Sequence, residues 1–373
     1  MDYSFKEFTI HQLVELIDKS QIDLNPSYQR NFIWSPDDQK SLIDTILLGY
    51  PLPNFFVYHD KGGAYEMVDG QQRSKTIFRF VKGLITSSRK TGNLKFENSA
   101  AAEILKYRLP FIVIENLTGK DSLRDFYVLI NKKGVHLNLS EVNKSEFLDS
   151  NFLKLANEVL VYQNLIDLNL FSENSTKRMN DRAFVEELLS YLKLGIKEKK
   201  KSIQTIYGDD ITSDEYNILR DSFYSVIDKI EKLNRIKPLS ETRYKQKNDF
   251  YTLFSFIHTN EHLSQEVLNY QYQILLILDG VDEEGKQFIR PTNEDCPALR
   301  EYANNCVSQS NSKNARDNRL SFFNSILKNS NLKHNEILTN VLNYFANIFG
   351  NKKVGLKNVG EFQLLDIDAL KNK

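Results

Sequence analysis

The 373-residue chain changes its pattern near residue 140, and this change limits the folds it can adopt. Before that point, short strand-like runs such as residues 55–58 alternate with amphipathic helical runs. After it, apolar residues recur with helical spacing over long segments, for example residues 215–233. The pattern predicts an α+β fold, with a mixed domain over residues 1–140 followed by an all-α helical domain over residues 141–373.

Composition places the chain among ordinary globular proteins, with 41% hydrophobic and 26% charged residues. Lys+Arg and Asp+Glu both number 49, so contact with nucleic acid would require a local basic patch rather than a global positive field. The two cysteines, Cys296 and Cys306, have no metal-binding spacing. Neither a secretion-type start nor an apolar run of membrane-spanning length is visible, and we therefore expect a cytoplasmic protein.

The densest group of polar side chains is Asp69-Gly70-Gln71-Gln72-Arg73, called the DGQQR box below. It lies between a strand-like run and a helix-like run, and a strand, a glycine turn and a helix start together favour a phosphate site. Asp69 can bind Mg²⁺ or orient a water, and Arg73 can neutralise a phosphoryl group. Gln71 and Gln72 can hold phosphate or sugar oxygens. The same residues also fit a plain Asp-Gly turn with Asp69 at the helix start, so both interpretations remain open.

Upstream of the box, Tyr28, Gln29 and Arg30 lie close to Trp34. Aromatic rings stack on bases and a guanidinium grips phosphate, so the segment suits a nucleotide. The alternative is that the rings close the edge of a core while Arg30 forms a structural ion pair. Downstream, Asn131 at the end of a short helix is a further candidate for facing a ligand.

Basic residues also cluster in the second half of the chain. Arg243, Lys245 and Lys247 form one group, and Arg316 and Arg319, three residues apart on a helical segment, form another. Such groups can track a DNA backbone, although a run of charges is more often a solvated surface.

Several common catalytic motifs are absent from the sequence. It contains no Gly-x-x-x-x-Gly-Lys-Ser/Thr loop, no Gly-x-Ser-x-Gly elbow and no His-Asn-His-type nuclease pattern. The chain is therefore not a P-loop NTPase.

The order of four sequence segments adds information that no single segment carries. In the order residues 25–34, 41–53, 69–76 and 130–137, the segments resemble the domain-of-unknown-function-262 family over roughly residues 8–150. This is the ParB/sulfiredoxin-like domain of type IV restriction and phosphorothioate-sensing anti-phage proteins. The resemblance implies a ParB/sulfiredoxin-like N-terminal domain that binds a nucleoside triphosphate (NTP) with Mg²⁺.

By that resemblance, Asp69, Gln71, Gln72 and Arg73 are the expected catalytic residues, and Asp69 is the expected metal ligand. The expected nucleotide-binding residues are Tyr28, Gln29, Arg30, Gly70, Ser74, Lys75, Thr76 and Asn131. Many relatives carry a fused His-Asn-His-type nuclease, which is missing from this sequence.

The function expected from the sequence is NTP binding and hydrolysis in an anti-phage or restriction system that acts on or near DNA. One alternative is a nucleotide switch without hydrolysis, or a DNA-binding adaptor for a separate nuclease subunit. A second alternative is an intrinsic DNA nuclease. The sequence does not choose among the NTPs or fix the oligomeric state.

Overall fold

A computed structural model of the chain describes residues 1–26, 32–59, 63–97, 103–116, 123–131, 143, 146–177, 179–330, 334–350 and 354–371. The chain forms two compact units. Unit 1 comprises Met1–Leu148 and Glu173–Asn180, and unit 2 comprises Asp149–Ser172 and Asp181–Lys373. The α+β architecture expected from the sequence is confirmed, with a sheet near the N-terminus and a helical C-terminal region.

Unit 1 is built on a mixed sheet, which has five strands within the described residues. The strands are β1 (Asp2–Thr9), β2 (Ile22–Asp23), β3 (Phe55–His59), β4 (Tyr65–Asp69) and β5 (Arg108–Asn116). Their spatial order is β1-β5-β3-β4-β2. The β1/β5 and β3/β4 pairs are antiparallel, whereas the β3/β5 and β2/β4 pairs are parallel.

The helices of unit 1 start where the sequence supplies caps. In α1 (Ile10–Asp18), Thr9 and Gln12 form a capping box, and in α2 (Pro36–Leu47), Ser35 caps the helix while Pro36 occupies its first turn. Then follow α3 (Gln71–Val81), α4 (Leu123–Asn131) and α7 (Glu173–Lys177).

The sheet buries apolar side chains on both faces because neighbouring strand residues point in opposite directions. Phe55 and Val57 join the larger core with residues of α1, α2 and α3. Phe56 lies against the second core, where Val68 packs with Tyr127 of α4. Covering both faces fixes the register of β3 and β4, and so fixes where the DGQQR box begins.

Unit 2 is mainly helical. Its helices are α5 (Asn151–Leu160), α6 (Gln163–Asp167), α8 (Asn180–Leu194, whose first residue belongs to unit 1), α9 (Lys199–Asp209), α10 (Ser213–Asn234), α11 (Lys247–Thr259), α12 (Gln265–Leu278), α13 (Pro297–Val307), α14 (Lys313–Leu327), α15 (Glu336–Phe349) and α16 (Ile367–Lys371). Every residue from Asp249 to Ile257 in α11 is buried, so this helix lies at the centre of the unit.

A β-hairpin in unit 2 departs from the expectation of a purely helical domain. The strands β6 (Leu356–Val359) and β7 (Phe362–Leu365) form an antiparallel hairpin. Phe362, Leu364 and Leu365 are buried, so the hairpin contributes to the core.

In the part of the chain that the structure describes, no helix has the length and apolar character needed to cross a membrane.

A buried ionic network surrounds Asp249 in the first turn of α11. This carboxylate is fully buried and accepts hydrogen bonds from Arg243 Nε at 3.1 Å and from Tyr302 Oη at 2.7 Å. Burial raises the pKa of Tyr302 well above its ordinary value, so the phenol stays protonated and acts as a donor. The network links α11 to α13 and to the 3-10 turn Arg243–Lys245.

We predict that Asp249→Asn lowers the free energy of unfolding by about 3 kcal/mol, because the Arg243 guanidinium loses its buried counter-charge. Urea unfolding followed by circular dichroism measures the change. The matched control is Asp221→Asn, which removes a 67% exposed carboxylate paired with Arg220 and is expected to cost less than about 1 kcal/mol. Equal losses in the two variants would contradict a structural role for the network.

Candidate functional site

The DGQQR box forms a strand–turn–helix corner at the end of β4. Asp69 is the last residue of β4, and Gly70 is the N-cap of α3 with φ 110°. This left-handed conformation favours glycine, and a Cβ atom at this position would overlap the ring of Phe55. Gly70 is the N-cap residue and has no side chain with which to cap the helix.

Arg73 locks this corner rather than extending into solvent. Its guanidinium donates to the carbonyl of Pro53, to the carbonyl of Asn54 at 2.9 Å and to Asp69 Oδ2 at 2.9 Å. It also lies 4.2 Å from the centre of the Phe55 ring, which stacks on Phe111. Burial lowers the pKa of Arg73, and the charge of Asp69 acts in the opposite direction. The arginine therefore ties α3 to the start of β3 and the end of β4.

The two glutamines are buried and hold the segments before and after residues 27–31. Gln71 Nε2 donates to the carbonyl of Leu24 at 2.8 Å. Gln72 Oε1 accepts from the backbone N–H groups of Ile33 at 2.9 Å and Trp34 at 3.2 Å. A bond of 3.0 Å from Gln72 Nε2 to Gln71 Oε1 joins the two amides. The amides thus fasten both ends of the segment that carries Tyr28, Gln29 and Arg30.

The next three residues of α3 differ in what they do. Ser74 is fully buried, and its Oγ has no hydrogen-bond partner among the described residues, whereas Thr76 Oγ1 donates back to the carbonyl of Gln72 at 2.8 Å. Lys75 is half-buried and donates to Asn25 Oδ1. Burial lowers the pKa of Lys75, while the charge of Asp23 opposes the shift. Ser74 and Thr76 are therefore interior residues, and Lys75 holds the segment upstream of residues 27–31.

Some predicted site residues fall outside the described part of the chain. Tyr28, Gln29 and Arg30 lie in the undescribed residues 27–31. Asn131 is the last residue of α4, but its side chain is not among those described. Their roles remain predictions from the sequence.

Arg79 is a candidate site residue that the sequence reasoning missed. It lies two helical turns after Gln72 on α3, and its guanidinium lies 5.6 Å from the centre of the Phe32 ring, next to the undescribed segment. Within the described ranges, its buried Nε has no hydrogen-bond partner and its guanidinium forms no ion pair. A half-buried cation of this kind can accept an anionic ligand. A spacing of seven residues places Arg79 on the same face of the helix as Gln72, and this spacing can be read from the sequence.

Asp69 can contribute to a metal site but cannot form one alone. Its side chain is 35% exposed, and Arg73 occupies its Oδ2. Among the residues that the structure describes, no group of three or more His, Cys, Asp or Glu could hold a metal ion. A single carboxylate that shares Mg²⁺ with phosphate oxygens is a common arrangement, and Asp69 fits this kind of site.

The basic residues predicted to contact DNA lie in unit 2, and three of them are used internally. Arg243 pairs with Asp249, and Arg316, 3% exposed, pairs with Glu187. Arg319 is 1% exposed and donates to the carbonyls of Asn305 and Ser310. These guanidinium groups stabilise the interior because each meets an acceptor there. Lys245 and Lys247 are exposed.

We predict that Gly70→Ala lowers the free energy of unfolding by about 3 kcal/mol, because it combines a left-handed backbone with overlap against Phe55. Gly83→Ala is the matched control. Gly83 has φ 70° but nothing within 4 Å of an added Cβ, so only the backbone strain applies and we expect a loss of about 1 kcal/mol. Thermal and urea unfolding measure both. Indistinguishable losses would show that the contact with Phe55 does not restrict position 70.

Comparison with protein families gives a match over the N-terminal part of the chain. Residues 12–148 match the model of the GmrSD restriction endonuclease, N-terminal domain. No significant match was found among curated proteins or among solved structures. The matched region contains the DGQQR box and the segments that its side chains hold, so the N-terminal part of the chain is similar to a domain of restriction enzymes.

Proposed function

We propose that the chain is a nucleotide-binding, NTP-hydrolysing protein of a restriction or anti-phage system that acts on or near DNA. The main support is the corner at Gly70, where a strand ends, a glycine turns and a helix begins at a residue that has no capping side chain of its own. This arrangement binds phosphate in many nucleotide-binding proteins. The similarity to a restriction endonuclease domain over the same residues supports the cellular role.

In this proposal the box residues divide into ligand contacts and positioning residues. Asp69 and the N-terminal turn of α3 face the phosphates, and Arg79 supplies positive charge beside Phe32. Gln71 and Gln72 position Leu24, Ile33 and Trp34, which flank the predicted nucleotide-binding residues Tyr28, Gln29 and Arg30 in the sequence. Arg73 acts through the corner that it locks, because its guanidinium already bonds Pro53, Asn54 and Asp69.

Magnesium fits this proposal as a shared ion between Asp69 and the phosphates. The ion would neutralise charge on the phosphate oxygens. Asp69 would hold it through the oxygen that Arg73 does not use.

The proposed contact with DNA rests on local charge, since the chain as a whole carries no net charge. The exposed Lys245 and Lys247 are the candidates of the predicted set for phosphate contact. A separate nuclease subunit is one proposed source of DNA cleavage, and an intrinsic nuclease activity of this chain is the alternative.

A second candidate function is a nucleotide switch that binds without hydrolysis. The observation in its favour is that the side chains of Gln71, Gln72 and Arg73 all form intramolecular hydrogen bonds. Residues so engaged can transmit nucleotide binding to the segment at residues 27–31 without taking part in chemistry. Binding of an NTP with no phosphate release would favour this candidate.

We predict that Asp69→Asn lowers NTP turnover at least about 100-fold, because the amide cannot hold Mg²⁺ as a carboxylate does. Phosphate release measures turnover, and calorimetry checks that nucleotide still binds. Asp18→Asn, a change at a 44% exposed carboxylate that pairs with Lys82, is the control and should leave turnover unchanged. Equal rates for wild type and Asp69→Asn would contradict hydrolysis at this site.

We also predict that Arg79→Gln weakens NTP binding about tenfold or more, since it removes the positive charge beside Phe32. Unfolding temperature should change little, because Arg79 has no ion pair to lose in the described part of the chain. Lys82→Gln is the control on the same helix, where the lysine pairs with Asp18 at 2.9 Å. Unchanged affinity in Arg79→Gln would remove Arg79 from the site, and the remaining proposal would stand.

A further inference from the structure

The two edges of the sheet in unit 1 are built differently. At one edge, β2 contains only Ile22 and Asp23. At the other edge, β1 spans eight residues and has a strand partner, β5, on one side only within the described residues. A short edge strand protects a sheet from pairing with other chains, whereas a long one offers a row of backbone donors and acceptors.

The long edge also carries exposed aromatic residues. Tyr3 is 62% exposed and Phe5 is 73% exposed. Their rings lie on the same face of β1, with centroids 5.9 Å apart. Two large neighbouring aromatics at an open edge are unusual for a surface that meets only water, and they favour a pairing surface.

The opposite face of the same strand carries charges of both signs. Asp2 accepts from Asn116 at 3.0 Å, and Lys6 lies 3.7 Å from Glu115. Ser4 donates to Glu115 at 3.0 Å, which places these three side chains on one face. Both charged residues are exposed and can meet a further partner.

We propose that β1 pairs with β1 of a second copy of this chain, antiparallel about a two-fold axis at Ser4. In this register Asp2 faces the second copy's Lys6, and Tyr3 faces the second copy's Phe5. The symmetry repeats each contact, which gives two ion pairs and two aromatic pairs. The two sheets join into one continuous sheet, and the open edges disappear.

Neighbouring registers are worse for identifiable reasons. The two-fold axis is perpendicular to the sheet, so residues that oppose each other must lie on the same face of the strand. An alternative register therefore moves the axis from one residue to the next, which shifts one strand past the other by two residues. An axis at Phe5 places Asp2 opposite the partly buried Phe8, and an axis at Lys6 places two lysines opposite each other. Only the axis at Ser4 matches charge with opposite charge and ring with ring.

A disulfide experiment tests the register. In Ser4→Cys the two sulfur-bearing residues face each other with Cα atoms about 5 Å apart, so mild oxidation should give a covalent dimer. Lys6→Cys is the control, because the two copies of residue 6 lie about 13 Å apart along the strands and should not crosslink. Wild type under the same oxidant accounts for Cys296 and Cys306. Failure of Ser4→Cys to crosslink, or equal crosslinking of Lys6→Cys, would overturn the register.

A charge exchange tests the pairing without a covalent bond. Sedimentation velocity of the full chain should show a dimer whose fraction rises with concentration. Lys6→Asp places like charges opposite each other and should weaken the dimer about tenfold, and adding Asp2→Lys should restore it to within about threefold of wild type. Thermal unfolding confirms that the variants are folded. A wild-type monomer at all concentrations, or a dimer insensitive to Lys6→Asp, would overturn the proposal.

Discussion

The hydrogen bonds of Gln71 and Gln72 are the interaction on which the candidate site depends. Two buried amides at the start of α3 hold the carbonyl of Leu24 and the backbone N–H groups of Ile33 and Trp34. Breaking one of these bonds would leave a buried polar group unsatisfied, which costs about 1–3 kcal/mol. They fix the two ends of residues 27–31 relative to Gly70, and so bring the segments of the site together.

This arrangement changes what the DGQQR box does. The residue types alone allow every side chain of the box to contact a ligand. The structure instead uses Arg73 to lock the corner between β3, β4 and α3, and leaves Asp69 partly exposed beside the helix start. Arg79, outside the box, forms no ion pair within the described residues and lies beside Phe32. Most side chains of the box therefore hold the backbone in place. In our proposal the ligand is contacted by Asp69, by the first turn of α3 and by Arg79.

The sequence predicted the local elements better than the contacts between them. Caps such as Thr9 and Ser35 determine helix starts locally, and the continuous run of apolar and aromatic residues 55–58 predicts a strand, so these features were recognisable. The internal use of Arg316 and Arg319 depends on acceptors such as Glu187 and Asn305 that are distant in sequence, and no local pattern shows them. The strand β1 was missed although Tyr3 and Phe5 alternate with Ser4 and Lys6, because its charges resemble those of a surface segment.

The measurement that tests the central claim most directly is calorimetric titration of the wild-type chain with each of the four ribonucleoside triphosphates, with and without Mg²⁺. The account predicts saturable binding of at least one NTP to one site per chain, strengthened by Mg²⁺, and loss of its Mg²⁺ dependence in Asp69→Asn. Absence of binding by all four NTPs under both conditions, with the protein folded, would contradict a nucleotide site at the Gly70 corner.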